Sequence, residues 1–388
     1  FDSKKKRIGT LTDYKELKIV KTLSSGDKEL SFKYPAQGEK NEILKEENYI
    51  RTKTDEYVIR SKKTGQQYNE YVAQLNVEDL EGQVFPYGFE SKEQTIIACL
   101  EFAFEGTGWR VGNCAIKKKR TINNDEETTA WNVLQDCLST YRCECKINTL
   151  EKTVDLYEQI GKDRGCYFIE NLNLRKLTIT SDTYDFYTRI IPIGKDDITI
   201  DWLGKGYIDN NQYSDKVKTY VWRDERYTNT TSLIEDATAK LDEMSKPYES
   251  CAADVIDFAK INEEYEILDY DIGDTVYIVS KKNRYKKKNR IVKMTEYPDE
   301  PQKNTIEISN ISKTFAQVQE ETVQQAKAES VDAAVTKTKK ILQDGYYTKE
   351  EVESHITASA EQISLGLSKT YATTTTVTEK YNEAVKAG

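Results

Sequence analysis

The chain begins in alternation. Glu29-Leu30-Ser31-Phe32-Lys33-Tyr34 switches between polar and apolar residues up to Pro35, and Tyr49-Ile50-Arg51-Thr52 and Glu56-Tyr57-Val58-Ile59-Arg60 flank a turn-like Lys53-Thr54-Asp55. A period of two places successive side chains on opposite faces of a strand, so residues 1–90 predict a hairpin-rich β unit. After Ser91 the period becomes helical. Ser91 and Gln94 form a capping box, Ile96, Ile97, Leu100 and Phe104 follow at helical spacing, and Gly106-Thr107-Gly108 ends the run. A second helix is expected from about Asp125 through Trp131, Val133, Leu134, Cys137 and Leu138, then strands at Cys143–Ile147 and Thr153–Tyr157. Residues 91–172 therefore read as an α+β unit inserted after the first β unit.

The β-branched pattern returns at 173–202, as in Leu177-Thr178-Ile179-Thr180 and Thr188-Arg189-Ile190-Ile191-Pro192, and resumes at 251–314 with strands near Cys251–Phe258, Thr275–Ser280, Arg290–Met294 and Asn304–Ile308. Asp271-Ile272-Gly273-Asp274 and the lysine-rich stretch before Arg290 read as turns, and together these segments predict a second β-barrel or sandwich. Residues 203–250 form a smaller insertion, with a strand at Tyr220-Val221-Trp222 and a helix that Thr231 or Ser232 caps, carried by Leu233, Ile234, Ala237 and Leu241. From 315 to 388 the composition shifts to Ala, Gln, Glu, Thr and Lys. Val331, Val335 and Leu342, then Val352, Ile356, Ile363 and Leu367, make an apolar stripe too thin to bury itself in one chain, so a helical tail that packs against its own copies is expected. A helix lying on its own domain is the alternative. The fold class is α+β and mainly β.

Composition narrows the function. The 388 residues are 37% hydrophobic and 32% charged, enough apolar material for two to four cores, and nowhere do they run apolar for the roughly 18–20 residues a membrane-spanning helix needs. The net charge of −9 argues against nucleic-acid binding over the whole surface. Seven cysteines without regular spacing read as reduced thiols rather than a disulfide framework. The chain opens on Phe1 without a secretory pattern and stops at Gly388 in mid-pattern, which suggests a piece trimmed at both ends.

Arg7-Ile8-Gly9-Thr10-Leu11-Thr12-Asp13-Tyr14, followed by Gly26-Asp27-Lys28-Glu29-Leu30-Ser31-Phe32-Lys33-Tyr34-Pro35, resembles the opening of the phage minor structural proteins, the prophage endopeptidase tail family of tail-associated and baseplate-hub proteins. Ile50-Arg51-Thr52-Lys53, Gly106-Thr107-Gly108-Trp109, Ile160-Gly161-Lys162-Asp163-Arg164-Gly165, Asn171-Leu172-Asn173-Leu174, Thr188 to Lys195, Ile272-Gly273-Asp274 and Arg290-Ile291-Val292 continue it in order, over roughly residues 1–315. The resemblance implies a tail-tip or baseplate hub of a phage or phage-like particle, assembled in the host bacterial cytoplasm. It also implies two similar β-barrels per chain, so that a homotrimer presents six to a six-fold tail ring around a channel for the tape measure protein and DNA. No cofactor is implied.

The catalytic inventory is thin. His355, the single histidine, lies in the polar stretch Glu350-Glu351-Val352-Glu353-Ser354-His355-Ile356, away from the β units, so a Ser-His-Asp or Cys-His arrangement lacks a well-placed base and a His-Glu-x-x-His zinc site is excluded. Cys137, Cys143, Cys145 and Cys166 lack a Cys-x-x-Cys knuckle, and Cys143 and Cys145 read as alternate positions on a buried strand. Asp196-Asp197 and Glu263-Glu264 read as turn and surface acids rather than glycosidase carboxylates, and Gly204-x-Gly206 lacks the third glycine of a dinucleotide loop. Two basic clusters remain, Lys117-Lys118-Lys119-Arg120 and a presumed hairpin tip holding Lys281, Lys282, Arg284, Lys286, Lys287, Lys288 and Arg290. The second is either a solvated turn guarding a β edge or an electrostatic contact with an acidic neighbour or passing DNA. A structural, non-enzymatic hub is the expectation. A tail lysin whose cutting domain lies beyond Gly388 and a receptor-binding adhesin are the alternatives.

Overall fold

The computed structural model describes residues 1–310; the stripe from Val331 to Leu367 and His355 lie outside the described residues. The first β unit contains β1 (Lys15–Thr22), β2 (Lys28–Pro35), β3 (Tyr49–Arg51), β4 (Glu56–Lys63) and β5 (Tyr68–Leu75), paired antiparallel in the order β1-β2-β5-β4-β3. The alternation seen in the sequence faces Leu30, Phe32 and Tyr34 inward from β2, where Phe32 stacks on Tyr71 of β5 with ring centroids 5.2 Å apart. In β4 Glu56, Tyr57, Val58 and Ile59 are all buried, because the inserted unit covers its second face: the Thr149 hydroxyl accepts from the Glu56 N–H at 2.7 Å.

The second β unit contains β6 (Asp163–Ile169), β7 (Leu174–Asp182), β8 (Tyr248–Val255), β9 (Thr275–Ser280), β10 (Tyr285–Glu296) and β11 (Thr305–Ser309). Cys166, Phe168, Cys251, Val276, Ile278, Ile291, Ile306 and Ile308 form its core. The two units are one 11-stranded sheet, ordered β7-β8-β11-β10-β1-β2-β5-β4-β3, with β9 on β10 and β6 on β9. The splice is β10. Its twelve residues are long enough that Tyr285–Arg290 pair with β9 while Lys293–Glu296 pair with β1 in the register Val20↔Thr295 and Lys21↔Met294. Neither unit closes by continuous pairing among the described residues. The first ladder ends at β3, and only the single bridge Glu170↔Leu174 joins β6 to β7. The mainly-β expectation is met; that of closed barrels is not.

Between these units the chain forms smaller layers. Glu144–Asn148, Thr153–Tyr157 and Arg110–Cys114 make a three-stranded sheet beside helices α1 (Ile96–Ala103) and α2 (Ala130–Thr140). Both helices start later than the sequence suggests. Ser91 belongs to the strand Phe89–Thr95, opposite Ile122, and the cap of α1 is Thr95, whose hydroxyl accepts from the Ala98 N–H at 3.4 Å. Thr129 caps α2, its hydroxyl accepting from the Asn132 N–H at 3.2 Å and leaving Asp125 to Glu127 in the preceding loop. Arg189–Ile193, read above with the second β unit, instead pairs with Ile208–Asp209 and Thr219–Arg223. Helix α3 (Thr230–Met244) packs on that sheet through Leu233, Ala237 and Leu241, capped by Asn229 rather than Thr231 or Ser232.

Candidate assembly surface

The lysine-rich stretch is mostly strand rather than turn. Tyr285 begins β10 with its ring buried and its hydroxyl donating to Glu249 at 2.9 Å, and the apolar alternation of Val276 and Ile278 in β9 fixes the pairs Val279↔Lys286, Ile278↔Lys287 and Tyr277↔Lys288. Only Lys281, Lys282, Asn283 and Arg284 make the tip, held from below by Glu170, which accepts from the Ser280 hydroxyl at 2.7 Å and the Lys282 N–H at 3.2 Å. Those two donors lower the Glu170 carboxyl below its ordinary range.

The seven basic residues separate into three groups. Arg290 is a clamp: its guanidinium forks onto Glu144 at 2.7 and 2.8 Å and also donates to the carbonyls of Ile160 at 2.7 Å and Gly273 at 3.1 Å, tying the second β unit to the inserted one. The backbones it joins are nearly in contact, since a Cβ on Gly161, at φ +88°, would lie 2.3 Å from the Gly273 carbonyl. Lys288 pairs with Asp163 at 2.7 Å and lies over the Tyr277 ring, while Lys287 pairs with Glu249 at 3.3 Å. Lys281, Lys282, Arg284 and Lys286 are exposed and have no ion pair among the described residues. They are the charges this segment leaves exposed.

The other basic cluster also turns inward at its end. Arg120, with 4% of its side chain exposed, donates to Asp236 at 2.8 and 3.2 Å and to Glu235 at 2.9 Å, while the Tyr227 hydroxyl donates to Asp236 at 2.8 Å. This joins the strand Lys119–Asn124 to α3, and Arg142 with Glu243 adds a third ion pair to that helix. In sequence Arg120 closes a run of lysines, and its partner is 116 residues away. No local signal marks it as internal.

Among the described residues no group of three or more His, Cys, Asp or Glu could hold a metal ion. Cys143 and Cys145 are buried, and burial pushes the Cys143 and Cys166 thiols up to about 12, far from a reactive thiolate. The closest thiols are Cys99 and Cys137, 3.6 Å apart between α1 and α2, a pair the sequence reading missed. Asp196 and Asp197 sit at positive φ in a short turn, with Asp197 paired to Arg223 at 2.8 Å. A cleft of about 1380 Å³ beside β1 and β3 is lined by half-buried Leu17, Ile19 and Ile50; within it Lys21 bridges Asp271 and Glu296. Among the described residues no helix is long and apolar enough to cross a membrane.

The fold has known counterparts. Prophage tail protein gp18 from Listeria monocytogenes EGD-e matches with a TM-score of 0.60 and 16% identity, over 82% of this chain and 95% of that one. The tail protein from Neisseria meningitidis MC58 matches with a TM-score of 0.55 and 9% identity, over 76% and 91% of the two chains. The 43 kDa tail protein of prophage MuSo2 from Shewanella oneidensis matches with a TM-score of 0.51 and 10% identity, over 76% and 93%. No curated protein matches by sequence. Family models match in succession: the prophage endopeptidase tail N-terminal domain at residues 1–77, the prophage endopeptidase tail domain at 89–156 and prophage endopeptidase tail at 162–319. With three consecutive domains matched in order on a fold shared with tail proteins, this chain belongs to the prophage endopeptidase tail family.

Proposed function

We propose that the chain is a structural subunit of a hub at the distal end of a phage or phage-like tail, acting as a homotrimer that adapts a six-fold tail tube to a three-fold tip. One observation carries this reading: the β1–β10 pairing sets two β units side by side in one continuous sheet, so each chain contributes two and three chains contribute six. In this reading the ring of β units lines a channel for the tape measure protein and for DNA. The apolar stripe of Val331, Val335, Leu342, Val352, Ile356, Ile363 and Leu367 adds contact between the copies in this reading. The role needs no cofactor and no catalytic residue.

Light scattering on the full chain and on a version ending near Ser312 tests the copy number. Three copies in both is the expected result; a stable dimer contradicts the symmetry argument. The word endopeptidase in the family description supports a second reading, hydrolysis of peptidoglycan peptides. Zymography against a matched cell wall separates the two, with no clearing expected from residues 1–388. Clearing that an Asp or Glu substitution abolishes would establish the enzymatic reading instead.

A further inference from the structure

Residues 84–102 bear an apolar surface that no described residue covers. Phe102 on the outer side of α1 is 55% exposed, Val84 43% and Tyr87 96%. Phe102 is anchored from below, its ring centroid 5.4 Å from that of Phe89, which is buried, and 6.5 Å from that of Phe85. Acids border it. Glu101 and Glu105 flank Phe102 on and just after α1, and the close approach of the Gly88 backbone to Asn124 and Asp125 brings the loop Asp125-Glu126-Glu127 beside Tyr87. All five carboxylates are exposed, and none has an ion-pair partner among the described residues. Monomers rarely leave aromatic side chains grouped in water without a use, and aromatic anchors within a charged rim are the usual anatomy of an interface.

A complementary surface lies on the same chain. At the β9–β10 tip Lys281, Lys282, Arg284 and Lys286 are exposed and have no ion pair among the described residues, and Leu172, 47% exposed, belongs to the same turn as the Glu170 that holds the tip. Arg175 and Lys176, both exposed, follow in β7. One surface is thus aromatic within acids, the other aliphatic within bases, and among the described residues no ion pair joins them within one copy.

We propose that these two surfaces bind each other between copies of this chain, the acid-rimmed aromatic patch of one copy seating on the basic β9–β10 tip of the next. A second copy is the occupant because the matching charges are carried by this chain, which at net −9 repels itself wherever its few unpaired basic clusters do not meet acids. The contact uses two different surfaces, so it is heterologous and propagates head to tail, closing a ring when the rotation per copy divides a full turn. The inference rests on the three-copy reading above and gives that ring a direction.

Sedimentation and light scattering on the full chain at low and moderate salt provide the test. The acid side is reversed in Glu101→Lys/Glu105→Lys/Glu126→Lys, the basic side in Lys281→Glu/Lys282→Glu/Lys286→Glu, and a third variant carries all six. Each triple variant is expected to keep the wild-type melting curve and fall to the mass of one chain. The six-fold swap, with complementarity restored, is expected to recover the wild-type mass, and Phe102→Ala to weaken assembly at least about tenfold. If both triple variants keep the wild-type mass, the surfaces are wrong while the copy number stands. If the folded six-fold variant stays monomeric, the two surfaces do not pair with each other and the proposal fails. A wild-type chain that is monomeric throughout removes the three-copy reading and this inference together.

Discussion

At the scale of single residues, the strongest interactions connect distant parts of the chain. Arg120 and Asp236 are both buried, so removing Asp236 leaves the guanidinium with only the half-exposed Glu235 as its ion partner. Asp236→Ala is expected to lower stability by about 3–5 kcal/mol in urea unfolding, whereas a paired swap to apolar residues of similar volume is expected to come close to neutral. Glu56 gives a pH test. Burial alone would raise its pKa, but hydrogen bonds from Arg51, Asn76 and Lys5 outweigh it and hold the carboxyl below its ordinary 4.5. A depressed folded-state pKa contributes stability that is present above 4.5 and lost as the pH falls through the folded value. Glu56→Gln is therefore expected to melt lower than the parent at pH 7, with the gap shrinking below pH 4.5. An equal gap at both pH values would show that Glu56 acts through packing alone. None of these roles was legible in the sequence. Periodicity reports which face a side chain takes, and it carries no record of a partner 116 or 146 residues away.

At the scale of elements, sequence and structure agree where a segment packs on its own neighbours. The strands at Thr153–Tyr157 and Thr275–Ser280 fall where the alternation placed them. Disagreement comes where tertiary pairing overrides local preference. Three consecutive lysines look like a solvated turn, yet β9 supplies a ladder for them, and Lys287 and Lys288 find acid partners while Lys286 stays exposed. Helix starts moved for a similar reason. Ser91 and Gln94 suit a cap locally, but pairing with the strand Lys119–Asn124 takes that segment first and leaves Thr95 as the cap. Thr129→Ala is expected to cost about 1 kcal/mol of stability, and a loss within 0.2 kcal/mol would show that the α2 cap is replaceable, as roughly expected of an exposed surface change. Gly161→Ala is expected to cost about 2 kcal/mol or more, because the residue sits at φ +88° and its new Cβ would meet the Gly273 carbonyl. A melting curve matching the parent's would show that the two loops separate freely.

At the scale of the whole molecule, the sequence announced two β-rich segments with an α+β insertion between them, and the comparisons place all three in one family. What it could not announce was the splice. Nothing in the pattern of β1 or β10 names the other as its neighbour, and the two segments read equally well as separate domains. Because they share a sheet, residues 1–310 are expected to melt in one calorimetric transition; two well-separated transitions would mean that the β1–β10 pairing adds little. The splice also has a consequence for the order in which the protein is made. β1 is synthesised early, yet its partner residues from Lys293 onward follow only about 270 residues later. At roughly 5–20 residues per second the ribosome needs on the order of 15–50 s to reach them. For that interval β1 is a bare strand edge, the kind of template on which nascent chains misassemble, and Lys15, Lys18 and Lys21 along it are the charges that keep it from pairing with the wrong chain before its own arrives.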